Sequence, residues 1–161
     1  MRVIVIIGSI SDKIIMKSAV DMLKIFQINY KCYVISAHRL PNTLSKILKK
    51  LEDENTDLII AGAGLSAHLP GIISSKTIIP VIGVPIYNSK NSLLGGIDAL
   101  SSITQMPKGV PIASVGINNS YNAALLAVHI LSMKYIFLKK SLIKFRKNIQ
   151  KKLENEIEQH L

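Results

Sequence analysis

Residues 3–12, VIVIIGSISD, decide the fold: five consecutive branched aliphatic residues end at a glycine and give way to hydroxyls and an acid. An unbroken apolar run of this length, without polar alternation, marks a strand covered on both faces, as in a parallel sheet. It stops too soon and turns polar too abruptly for the apolar core of a secretory signal.

Working outward, the same unit recurs. Ser11 or Asp12 can cap a helix that carries Ile14, Ile15, Ala19, Met22, Leu23 and Phe26 on one side. A second strand is predicted over 30–35, and Pro41 opens a helix bearing Leu44, Ile47, Leu48 and Leu51. A third strand is expected over 57–61, a short helix after Pro70, and a fourth strand over 81–84. A Ser/Asn/Gly-rich loop over 87–96, a helix near 97–103, a fifth strand over 110–115 and an apolar helix over 122–137 follow. Alternating strands and helices with right-handed crossovers give a three-layer α/β/α, flavodoxin-like parallel sheet.

Residues 1–137 thus form an α/β catalytic domain, and 138–161 a C-terminal helical tail. In the tail Leu138, Leu142, Phe145, Ile149, Leu153, Ile157 and Leu161 recur every three or four residues among lysines. A helix added to a finished sheet has no evident place to bury that stripe at home, so it is expected to pack on a neighbouring subunit. Glu154, Glu156 and Glu158 oppose the helix dipole near the end of the tail.

With 161 residues, the chain is long enough to bury a core without staples. The single cysteine, Cys32, cannot form an intrachain bridge, and no Cys/His spacing suits a metal, which fits a reducing cytoplasm. No apolar stretch is long enough to span a membrane. The net charge of +10 raises the question of nucleic acid, but eight of the 20 basic residues lie between Lys134 and Lys152. Elsewhere the positive charge is thin, and no tryptophan is present to stack bases, so nucleic acid is not the expected partner.

Ligands of an open parallel sheet bind beyond the carboxyl ends of the strands, and three loops there carry chemistry. In Gly8-Ser9-Ile10-Ser11-Asp12, glycine permits a sharp exit, Ser9 and Ser11 can donate to an anion, and a helix N-terminus lies behind them. Asp12 would repel phosphate and is better suited to sugar hydroxyls. Helix capping by Ser11 or Asp12 explains these residues equally well. In Ser36-Ala37-His38-Arg39, a guanidinium fork suited to phosphate adjoins an imidazole suited to acid and base work near neutrality. In Ala61-Gly62-Ala63-Gly64-Leu65-Ser66-Ala67-His68-Leu69-Pro70-Gly71, small residues let the backbone approach a ligand, a second anion site or a platform for a base edge. The glycine spacing is not that of a dinucleotide fingerprint. His129 and His160 are expected in packing or surface roles, and Met106 as filler.

Together GSISD (8–12), SAHR (36–39), AGAG-x-x-AHLPG (61–71), QMPKGVP (105–111) and NAALLA (122–127) closely resemble the class I N5-carboxyaminoimidazole ribonucleotide mutases, the PurE family of purine biosynthesis. The resemblance implies a cytoplasmic isomerase that moves a carboxylate from the exocyclic nitrogen of the ribonucleotide to carbon 4 of its imidazole, with no metal or organic cofactor. It implies a homo-oligomer, an octamer, with sites shared between subunits. By matching position, Ser9, Asp12 and Arg39 would bind the ribonucleotide, as would Ser11, Ser36 and Ala37 beside them. His38 would be the general acid/base. The 62–69 segment would enclose the migrating carboxylate, with His68 as a second catalytic residue and Gly62, Ala63, Gly64, Ser66, Ala67 and Leu69 around that carboxylate.

The chain departs from the family at Leu65 and Ser66, where Gly and Ala are usual, in a longer 87–96 loop, and at 118–121. Class II carboxylases, which use carbon dioxide directly, carry lysine after SAH and lack HLPG, so Arg39 and the 68–71 run favour class I. A flavodoxin-like flavin or nucleotide carrier would use the same fold and first loop but has no need of His38.

Overall fold

In the computed structural model, which describes residues 1–89 and 94–157, five parallel strands form one sheet in the order β2-β1-β3-β4-β5. The strands are β1 (Arg2–Ile7), β2 (Asn29–Val34), β3 (Leu58–Gly64), β4 (Val81–Ile86) and β5 (Ala113–Ser114). The helices are α1 (Lys13–Ile25), α2 (Pro41–Asp53), α3 (His68–Ser74), α4 (Ile97–Thr104), α5 (Ser120–Ser132) and α6 (Ile136–Ile157). The flavodoxin-like fold is therefore as the sequence indicates.

Successive side chains of a strand face opposite sides, and β1 shows what that does here. Val3, Val5 and Ile7 pack with α1, α5 and α6 through Met16, Leu23, Phe26, Ala124, Val128 and Leu138. Ile4 and Ile6 pack on the other face with Leu44, Leu48 and Leu51 of α2 and with Ile73 and Ile103. Strand order reverses where β1 pairs with both β2 and β3, and that crevice is where a doubly wound sheet receives a ligand.

Several boundaries differ from the sequence reading, each for a tertiary reason. β3 runs on through Gly64, three residues beyond the predicted end, pairing Ala63 with Pro85 and Gly64 with Ile86. Gly62 and Gly64 thus serve close packing: a Cβ on Gly62 would stand 2.7 Å from Met16 Sδ, and one on Gly64 2.9 Å from the Ile86 carbonyl oxygen. β4 extends past Val84 and includes Pro85. Proline is tolerated there because β5 ends level with Gly83, while the Pro85 carbonyl accepts from Asn118 N–H at 2.9 Å. β5 itself shrinks to two residues, since Pro111 has no N–H for a ladder. α3 begins at His68 and holds Pro70 within its first turn, rather than following it.

The helix predicted over 122–137 is two helices. α5 ends at Ser132 and α6 starts at Ile136, with no glycine or proline at the junction. Asp57 holds the break from across the fold: it accepts from Lys134 Nζ and Tyr135 Oη at 3.2 Å each, and from the Arg2 N–H at 2.8 Å. α6 then turns back onto its own subunit. Leu138 and Leu142 are buried, and Phe145 meets Phe26 with ring centroids 5.3 Å apart. The expectation that the whole tail stripe lacks a home is thereby corrected: its first half completes the core, while Ile149, Leu153 and Ile157 remain exposed. Leu161, Glu158 and His160, and part of the 87–96 loop, lie outside the described residues.

Candidate active site

The loops after β1, β2, β3 and β4 surround a cavity of about 380 Å³, within the usual range for a small-molecule site. Its walls include Gly8, Ser9, Ser11, Asp12, Ser36, Ala37, His38, Ala63, Gly64, Ser66, Ala67, His68 and Leu69. Three loops separated by 20 residues or more in sequence are thus brought to one crevice.

The first loop forms a single 3-10 turn, Ile10–Asp12, capped by Ser9. Ser9 and Asp12 make a reciprocal capping box: the Ser9 hydroxyl accepts from the first-turn backbone, and the Ser9 N–H donates to Asp12 Oδ2 at 3.2 Å. The Ser11 hydroxyl donates to Ser9 Oγ at 2.9 Å and lies 3.3 Å from Asp12 Oδ1. Asp12 stands at the N-cap position of α1, one of the two places anticipated, but makes no side-chain hydrogen bond to that helix, while Ser9 caps the 3-10 turn before it. Burial pushes the Asp12 carboxyl above its ordinary range, and the bonds from Ser9 N–H and the Ser11 hydroxyl offset only part of that rise.

His38 and His68 meet across the cavity. His38 Nε2 stands 2.9 Å from His68 Nδ1, with the rings edge to face at 87°. At that distance one nitrogen must donate and the other accept, so the pair shares one proton and each ring has a second nitrogen for a ligand or water. His38 is held by the turn after β2, where Ile35 N–H donates to Ile7 carbonyl oxygen at 2.8 Å. His68 is held by the first turn of α3, entered through Ala67 in the left-handed conformation.

Two predicted residues do not line the cavity. Arg39 is exposed beside it, tied to Ser36 by Nε donating to Oγ at 3.2 Å. Gly62 lies within β3, where Met16 claims the space a side chain would take. Conversely, Ile86 and Asn88 line the cavity without having been assigned there, and Leu65 lines it within the predicted 62–69 segment. The signal for Ile86 and Asn88 was the strand-end rule itself, missed because the fourth strand was read to end at Val84, two residues short of its end at Ile86. His129 lies apart, in a cleft between α5 and α6 with Arg146.

Comparison with known proteins bears on what this cavity serves. The family model described as AIR carboxylase matches residues 2–152. The chain belongs to the AIR carboxylase family. Among family relatives, N5-carboxyaminoimidazole ribonucleotide mutase of Pyrococcus horikoshii is 48% identical over 152 residues, covering 94% of this chain and 84% of that protein. The enzyme of the same name from Aquifex aeolicus is 54% identical over 131 residues, covering 81% and 77%. The crystal structure of Treponema denticola PurE superposes with a TM-score of 0.87 at 29% identity, covering 99% of both chains. The family match spans the cavity, the sheet and most of α6.

No helix among the described residues is long and apolar enough to cross a membrane. Among those residues, no three His, Cys, Asp or Glu side chains are grouped so as to hold a metal ion.

Proposed function

We propose that this protein is an N5-carboxyaminoimidazole ribonucleotide mutase of purine biosynthesis, converting its substrate to the carbon-4 carboxylate isomer. The observation that carries the reading is the His38–His68 contact of 2.9 Å beside a buried carboxylate and two serine hydroxyls, in one cavity. The mutase names of the relatives support the substrate.

The chemistry follows from moving one proton twice. His38 donates to the exocyclic nitrogen, the bond from that nitrogen to the carboxylate breaks, and carbon dioxide and the free amine result. Carbon 4 of the electron-rich imidazole attacks the carbon dioxide, forming a new carbon–carbon bond. His38 then removes the proton from carbon 4, which restores aromaticity and returns the histidine to its starting state. His68, bonded to the reacting nitrogen's ring, takes up or supplies the shared proton as His38 changes charge. No metal, redox group or nucleoside triphosphate enters this balance.

In this reading Ser9, Ser11 and Arg39 hold the phosphate, and Asp12 accepts from the ribose hydroxyls. Arg39 lies at the rim, so its reach suits a remote group rather than the reacting carboxylate. Ser36 positions Arg39, and the segment from Ala63 to Leu69 encloses the carbon dioxide. In the same reading the mutase works in the cytoplasm as a homo-oligomer, and its resemblance implies an octamer. The exposed Ile149, Leu153 and Ile157 of α6 are the surface that this assembly would cover.

The direct test is incubation with N5-carboxyaminoimidazole ribonucleotide, following the carbon-4 isomer by its absorbance and mass. Isomer formation without added bicarbonate is expected. Accumulation of the decarboxylated ribonucleotide alone, or isomer formed only with added carbon dioxide, would contradict the mutase reading and indicate a carboxylase.

A further inference from the structure

From Ala99 to Leu153 the chain contains no aspartate or glutamate, so every charged side chain of α5, and of α6 as far as Leu153, is basic. Asp57 reaches the junction of the two helices from across the fold, but it is already engaged by Lys134, Tyr135 and the Arg2 N–H. Beside that junction the helices leave a cleft of about 300 Å³, with His129 and Met133 on one wall and Lys139, Leu142, Ile143 and Arg146 on the other. None of these residues lines the cavity of His38 and His68. Asp57 directly precedes β3 and Arg2 begins β1, so the junction lies at the amino ends of the strands, the opposite end of the sheet from that cavity.

Helical spacing sets the lining. Positions 139, 142, 143 and 146 recur every three or four residues and share one face of α6, while His129 and Met133 are four apart at the end of α5. Lys139 and Arg146 stand two turns apart, about 10 Å along the helix axis, a span that two long side chains can close on one anion. Among the described residues neither has an ion-pair or hydrogen-bond partner. Leu142 is buried, whereas Met133 and Ile143 are 82% and 52% exposed, so the same cleft offers apolar surface beside its two cations.

We propose that the α5–α6 cleft is a second ligand site, for a phosphate monoester with a planar apolar body, the chemical class of a nucleoside monophosphate. A phosphate monoester carries a charge of about −1.5 to −2 near neutrality, which Lys139 and Arg146 together match, whereas a carboxylate would leave one of the two cations uncompensated. The guanidinium fork of Arg146 fits two phosphate oxygens at once, and a ring nitrogen of His129 adds a hydrogen bond from the facing helix. A planar ring laid on Met133 and Ile143 removes their exposed surface from water and meets the Met133 thioether, a contact that inorganic phosphate cannot make. The cleft volume stands at the small end of ligand pockets, which suits one such molecule rather than an extended polyanion. The site is independent of the mutase reading.

The test follows the cleft itself by NMR. Protein carrying carbon-13 in the methyl groups of its five methionines is titrated at low salt with adenosine 5′-monophosphate, adenosine and inorganic phosphate, and the Met133 signal is identified by its absence from Met133→Leu. The nucleotide is expected to shift the Met133 signal saturably, with adenosine and inorganic phosphate each binding at least ~10-fold more weakly. Lys139→Gln and Arg146→Gln should each weaken the nucleotide several-fold while leaving the melting temperature without ligand unchanged, since both side chains are exposed. Arg39→Ala should keep the Met133 response, and its loss there would show a signal transmitted from the other cavity and overturn the proposal. Equal affinity for nucleotide and adenosine, or native affinity in both glutamine variants, would also overturn it. So would a Met133 signal that ignores the nucleotide at millimolar concentration, and if that signal changed with protein concentration instead, the cleft would be a contact between subunits.

Discussion

Leu138→Ala tests whether α6 is part of its own subunit's core. Leu138 is fully buried among residues of β1, α1 and α5, immediately after the junction clamped by Asp57. Truncating a buried leucine removes its transfer energy and leaves a cavity, together costing ~2–5 kcal/mol. At about 3 kcal/mol, and ~2–4 °C per kcal/mol for a domain of this size, the melting temperature should fall by about 6–12 °C. Leu153→Ala on the exposed half of the same helix should change the isolated subunit by no more than about 0.5 kcal/mol. Urea unfolding of both variants over a range of protein concentrations separates the two, because a core loss lowers stability at every concentration whereas an interface loss changes how stability depends on concentration. A loss below about 1 kcal/mol for Leu138→Ala would show that α6 does not pack as described.

The remaining predictions concern charge and ligand. Arg39→Ala should raise KM much more than it lowers kcat, and a collapsed kcat at unchanged KM would move Arg39 to the reacting carboxylate. Asp57 is drawn below its ordinary range: burial opposes this, but the Arg2 N–H, the Lys134 ammonium and the N-terminus outweigh it. Its stabilisation is therefore present above the unfolded value of ~3.9 and lost as pH falls through the lower folded value. Asp57→Asn should cost about 1–3 kcal/mol at pH 7 and converge with the parent in acid, as read by melting curves. Asp12 has the opposite sign: its raised value makes stability fall as pH rises above ~3.9, and the full cost is present above the folded value. Asp12→Asn should therefore melt no lower than the parent at neutral pH while binding ribonucleotide more weakly by calorimetry. A clear drop in melting temperature would show that the capping bonds of Asp12 outweigh its burial.

The fold was legible because its strands are unbroken apolar runs and its helices have one apolar face, signals that local sequence carries directly. Boundaries failed where tertiary contacts act. Gly62 and Gly64 read as ligand-approach residues, yet Met16 and the Ile86 carbonyl explain their lack of side chains. The break between α5 and α6 has no local marker, since Asp57, 77 residues before Lys134, holds it. In the site, strand ends pointed to His38, His68, Ser9 and Asp12 without the structure. Their contact could not be read, because nothing in either loop says that two rings 30 residues apart meet at hydrogen-bond distance. Leu65 was visible as a departure from the family, but its left-handed backbone was not.

The central claim is that His38, sharing a proton with His68, carries the proton of carboxylate transfer. Single-turnover conversion of N5-carboxyaminoimidazole ribonucleotide by His38→Asn, beside native protein and with ribonucleotide affinity measured on both, tests it most directly. Turnover reduced at least ~10²-fold with affinity retained is the predicted result. Turnover at the parental rate by a folded, ribonucleotide-binding His38→Asn protein would contradict it.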